Sequence, residues 1–188
     1  MTNTAPAHTL PESPERVLRF WRDAGYDRWF ASDPTFDRIF REHFLAAHMA
    51  AARRELDAWL ETAEGCLALL ILLDQFPRNA FRGTGHMYAT DPLAVFVARH
   101  MLARGFDQAI DEDMRAFCYL PFEHAEDLAD QDLSVRLFEA LGGAFMPYAR
   151  VHREIIERFG RFPHRNGELG RETTPDERTY LAEGGFAG

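Results

Sequence analysis

A chain of 188 residues, 46% hydrophobic and 27% charged, is long enough to bury a sizeable core and too apolar to stay unfolded in water. Its net charge of −9 argues against nucleic acid and anionic membranes as partners. All 21 basic residues are Arg, which excludes a Schiff-base lysine, a pyridoxal-phosphate anchor and a phosphate-loop lysine.

Residues 1–12 are polar and Pro-bearing, with no basic-then-apolar signal pattern, and are expected to be loose in a cytoplasmic protein. A single helical domain is expected over residues 13–188. Ser13-Pro14-Glu15 is a cap, a first-turn proline and an acid, and opens a helix that Gly25 closes. Asp33-Pro34 opens the next, where Phe36, Phe40 and Phe44 recur at i,i+4 and the pattern extends to about Trp59. "GCLALLILLDQF" at 65–76 is apolar nearly all round and reads as the central buried helix, stopped or kinked by Pro77. Asp91-Pro92 opens a helix ending at Gly105, and Asp111 caps one that runs to Pro121. A polar helix follows, ending at the pair Gly142-Gly143, and then "AFMPYARVHREIIERFG". Thr174-Pro175-Asp176-Glu177 is a capping box with proline at the first helical position. Nothing alternates with period two between hairpin turns, so the expected fold is all-α: about eight helices in stacked antiparallel hairpins. Cys66 and Cys118 each sit inside an apolar helical pattern and read as buried hydrophobes.

Two turns resemble each other. "QFPRN" at 75–79 is followed by Arg82, and "RFPHRN" at 161–166 is followed by Arg171. Asp74 lies at the end of a buried stripe and needs partners there. Asp74, Arg78, Asn79 and Arg82 either tie off the end of a buried helix or face a cleft that grips an anion. Arg161, His164, Arg165, Asn166 and Arg171 form a local reversal of charge, punctuated by Gly. They either bind an anion or lock the C-terminal loop through salt bridges. In "YLPFEHAEDLADQ", Glu123, His124, Glu126, Asp127 and Gln131 bring acid and imidazole together, which permits acid–base chemistry. Metal-ligand spacing is absent, and no cofactor or metal is expected.

The strings "LALLILLDQFPRNAFRGT", "YLPFEHAEDLADQ" and "IIERFGRFPHRNGELGRETTPDE", with the earlier "VLRFWRDAGYDRWFASDPTFDRIF", together resemble the bacterial family catalogued as domain of unknown function 924. The resemblance runs from about Val17 to the end of the chain. It implies a tetratricopeptide-like helical fold and carries no established catalytic residues. The positions matching the family pattern are mainly polar, among them Trp29, Gln75, His152 and the residues of the two turns. Ala125 departs from the pattern, which has a small hydroxyl residue after the His. So polar a pattern implies a shared pocket, with His124 and His164 as candidate acid–base groups. Asp74, Arg78, Asn79, Arg82, Glu126, Arg161, Arg165, Asn166 and Arg171 are the candidate ligand contacts. The pocket would take a small anionic ligand; the other reading is a scaffold that clamps an acidic peptide. In the first reading the two turns are expected to be two walls of one cleft, with Asp74 and Glu126 offsetting only part of the Arg charge.

Overall fold

The computed structural model describes residues 13–142 and 146–187. The expectations for residues 1–12 and for Gly143 lie outside them. The described residues are all helix, turn or loop, as the patterning predicts. The α-helices are α1 (Pro14–Ala24), α2 (Tyr26–Trp29), α3 (Pro34–Ala52), α4 (Ala63–Leu70), α5 (Phe76–Ala80), α6 (Asp91–Ala103), α7 (Glu112–Glu123), α8 (Leu128–Leu141), α9 (Met146–Phe159) and α10 (Pro175–Ala182). Successive helices α6 to α9 each pack on the next, as stacked hairpins do, and α4 packs against α1, α6 and α7. No helix among the described residues is long and apolar enough to cross a membrane.

The core is aromatic. Trp21, Phe40, Phe44, Phe76, Phe117 and Phe122 are almost entirely removed from water, each contributing about 1.5–3 kcal/mol by burial. Trp21 meets Phe117 edge to face with centroids 5.5 Å apart. A smaller, separate cluster gathers Ile155, Ile156 and Phe162 with Phe159, Tyr180 and Phe186.

Local signals hold at most helix starts. The side chains of Ser13 and Asp33 cap α1 and α3, and Thr174 and Glu177 form the capping box of α10. Asp111 does not cap α7; its carboxylate reaches Arg22 at 3.4 Å instead. The long helix expected to reach Trp59 ends at Ala52, where Arg54 takes a left-handed φ of 63°.

The two internal prolines do not end their helices. Between α4 and α5 lies a π-helical segment, Ile71–Gln75, and the helical path continues through Pro77 to Ala80. Pro77 has no N–H to offer the preceding turn. Side chains supply the missing donors. His48 Nδ1 donates to the Leu72 carbonyl at 2.9 Å, Thr90 Oγ1 to Leu73 at 2.5 Å, and Arg78 Nη1 to Asp74 at 2.7 Å. Similarly α7 runs past Pro121 to Glu123. Gln131 Nε2 from α8 donates to the carbonyls of Glu123 and Ala125, each at 2.7 Å, and so completes the end of that helix.

Candidate functional site

Two buried helix ends, the end of the π segment and the end of α7, meet at Asp74 and His124. Asp74 is buried and accepts from His124 Nδ1 at 2.7 Å and from the Gln75 amide. Arg78 Nη1 stands 3.1 Å from the same carboxylate. Burial alone would raise the Asp74 pKa, but the Arg78 guanidinium and the hydrogen bonds from His124 and Gln75 outweigh it and hold it at about 2. Burial, followed by the charge of Arg78, pushes His124 below its ordinary value. The pair is therefore an ionised Asp74 orienting a neutral imidazole, and His124 Nε2 has no hydrogen-bond partner among the described residues.

Arg78 also forks onto Asp91, with contacts of 2.8 and 3.0 Å, and Arg165 reaches Asp91 at 3.3 Å. One carboxylate thus joins the two resembling turns. Arg165 is buried, with its guanidinium over the rings of Phe162 and Tyr88 at 4.3 and 4.6 Å. The other candidates diverge. Asn79 and Arg82 both bind Asp37 in the first turn of α3. Arg161 and Asn166 both bind Glu177, away from Asp74. Arg171 forks onto Glu126 at 2.8 and 2.7 Å, and Glu126 also accepts from the Phe162 backbone at 2.8 Å. His164 Nδ1 is buried without a partner, its ring packed near Phe162 and Phe186.

Every candidate arginine therefore already holds a carboxylate. Asp37, Asp91 and Glu177 supply the charge that Asp74 and Glu126 were expected to lack. Their roles are not visible locally. Asp91 sits at an Asp-Pro helix start and Glu177 in a capping box, and nothing near Asp37 marks it as a partner of residues more than forty positions away.

Seven of the eleven candidates line two depressions that share His124, and Asp74, Arg161, His164 and Asn166 line neither. One, of about 410 Å³, carries Arg165, Arg171, Tyr88, Asp91, Glu126, Asp127 and Asp130. The other, of about 440 Å³, carries Gln75, Arg78, Asn79, Arg82, Glu123 and His152, with Tyr26, Trp29, Phe30, Tyr148 and Phe186 around them. So Arg78 and Arg82 line one hollow and Arg165 and Arg171 the other. Tyr26, Phe30 and Tyr148 are about half exposed at the mouth of the second.

The floor of that second hollow holds Glu123 and His152, which the sequence marked only as part of a polar stretch and of the family pattern and not among the candidate contacts. Glu123 is only 4% exposed, and burial, with the charge of Asp74, pushes its pKa up to about 8. His152 donates from Nδ1 to the Tyr148 carbonyl at 2.8 Å and is held neutral, its pKa lowered by burial to about 3. Glu123 is the last residue of the helix that continues past Pro121, and it is buried there. No group of three or more His, Cys, Asp or Glu side chains able to hold a metal occurs among the described residues.

Comparison with known proteins agrees with this architecture. Residues 17–185 match the family model described as bacterial protein of unknown function (DUF924), and the chain belongs to that family. A solved structure, that of the protein of unknown function ATU0120 from Agrobacterium tumefaciens, is 60% identical, with a TM-score of 0.89 over 91% of this chain and 97% of that one. No curated protein matches.

Proposed function

We propose that the protein binds a small anion with an apolar body in the depression beneath Tyr26, Phe30 and Tyr148. The observation carrying this reading is how charge is distributed around that hollow. Arg78 and Arg82 reach its lining, while the carboxylates that pair with them, Asp74, Asp91 and Asp37, stand outside it. The lining's own acid, Glu123, is mostly protonated at neutral pH. An anion entering there meets two arginine side chains, a mostly neutral acid and aromatic walls. The opposite hollow is lined by more carboxylates than arginines and suits an anion less well.

His124 supports an acid–base role within the same reading. It is neutral, oriented by Asp74 through Nδ1, and lines the hollow. His164 lines neither hollow and is left with a packing role. The half-exposed aromatics at the mouth favour a second reading, a tetratricopeptide-like scaffold that receives the C-terminal carboxylate of a peptide.

Thermal shift at fixed ionic strength separates these. Naphthalene derivatives bearing carboxylate, phosphate or sulfonate heads would be compared with a short acidic peptide. A ligand at ~100 times its Kd adds roughly 2.7 kcal/mol. Arg82→Ala should lose the shift while Arg165→Ala keeps it. A shift from the peptide alone would move the scaffold ahead, and equal loss in both variants would place the ligand elsewhere.

A further inference from the structure

The head group of this ligand can be narrowed from the hollow's own hydrogen-bonding inventory, and the narrowing rests on the binding reading above. The donors that reach the lining are largely spent. The Arg78 fork is on Asp91, with a further bond to the Asp74 carbonyl, and the Arg82 fork is on Asp37. The Asn79 amide donates to Asp37 at 2.8 Å, and the Gln75 amide to Asp74. These groups offer no free fork for a phosphate.

Glu123 is different. Its Oε2 is buried with no partner, and its Oε1 lies 3.6 Å from His152 Nδ1, whose proton is committed to Tyr148. A buried carboxyl with neither oxygen hydrogen-bonded is costly to keep, and it faces the hollow. In its neutral form it has an O–H to give. The acceptor that gains most from a neutral carboxyl is a carboxylate, because a charged O–H···O contact is short and roughly twice as strong as a neutral one. A phosphate would bring added negative charge toward Asp74 without finding free donors.

We infer that the ligand is a monocarboxylic acid with an apolar body, bound by sharing one proton with Glu123. The proton stays on Glu123, or the Glu123 O–H bond breaks as a ligand O–H bond forms; no other covalent bond changes. The ionisable groups around it are Asp74 from the π segment, Arg78 from α5, Arg82 beyond it, the adjacent His124, His152 and Tyr148 from α9, and Tyr26 from α2. From α8 comes Gln131, which does not titrate. Once Glu123 ionises, two carboxylates face each other, so affinity falls about tenfold for each pH unit above that point.

The test measures the Kd of 2-naphthoate, 2-naphthyl phosphate and 2-naphthamide by calorimetry at pH 6.5 and pH 9.5, on wild type and on Glu123→Gln. Wild type should bind naphthoate best at pH 6.5 and lose at least about tenfold by pH 9.5. Glu123→Gln, whose amide donates at every pH, should bind naphthoate with nearly equal affinity at both. Naphthoate binding that is unchanged with pH in wild type, or that falls equally in the variant, overturns the shared proton and leaves the pocket standing. Tighter binding of the phosphate overturns the carboxylate class and likewise spares the pocket. Failure of every probe at pH 6.5 removes the pocket and this inference together.

Discussion

Removal of the Asp74 carboxylate should be among the most damaging single changes in this protein. Asp74 is 1% exposed and is held by Arg78, His124 and Gln75 together. Taking one partner from a buried ion pair costs about 3–5 kcal/mol, mostly because a charge is left buried and unmatched. Here Arg78 keeps the Asp91 fork, which places Asp74→Ala near the lower end, about 3 kcal/mol. Asp74→Asn keeps the volume but loses the charge, and should cost about 2 kcal/mol by weakening charge-assisted bonds. Urea unfolding followed by far-UV circular dichroism measures both. A double-mutant cycle with His124→Gln should return a coupling of about 1–2 kcal/mol, since the two side chains touch. Loss of less than 1 kcal/mol in Asp74→Ala, or a coupling near zero, would refute the buried network.

Glu123→Gln should gain on wild type as pH rises. The folded state holds the Glu123 proton up to about 8 against an ordinary 4.5, so it binds more protons than the unfolded chain across that window and wild-type stability falls through it, by about 5 kcal/mol in total. A variant-minus-wild-type stability difference that stays flat from pH 4.5 to 8 would count against the neutral acid. At the acid end, His164 is held near 4, chiefly by burial, against an ordinary 6.5; the unfolded chain takes up its proton first, and stability is lost as pH falls through that range. His164→Phe should recover about 2 kcal/mol at pH 4, a value reduced for its partial exposure. Gly185→Ala should lower the melting temperature, because a Cβ there would lie 2.5 Å from the Tyr180 ring and 2.6 Å from its carbonyl oxygen; an unchanged melt would mean the tail moves aside without cost.

The helices were legible wherever a cap, a proline and an apolar period agreed, as at Ser13, Asp33 and Thr174. Reading failed where a side chain distant in sequence does the work of a backbone donor. Pro77 and Pro121 look like terminators locally, yet His48 and Thr90 satisfy carbonyls in the turn before Pro77, and Gln131 satisfies those at the end of the helix that runs past Pro121. The same limit governs the site. The importance of Asp74, Arg78 and His124 follows from one buried stripe and one polar stretch. Asp91 and Asp37 act as partners only because α6 and the start of α3 are brought beside α5 and the turn after it, which no local pattern encodes. The similar spelling of the two turns did not mean similar placement: Asn79 and Asn166 end on different carboxylates, Asp37 and Glu177.

The smaller apolar cluster around Phe162 has a consequence for how the chain comes apart. It is not continuous with the main core, and the stretch after Phe159 is tied to the rest by ionic latches such as Arg171 to Glu126 and Arg165 to Asp91. Such a stretch is expected to open as its own cooperative unit, at an energy below that of global unfolding. Because the partly exposed Arg171–Glu126 latch is electrostatic, added salt weakens it while leaving the aromatic core untouched. Amide exchange should therefore quicken with ionic strength across residues 162–187 and stay unchanged in α4. When this unit opens it carries Phe186 away from His152, and the wall of the hollow leaves with it.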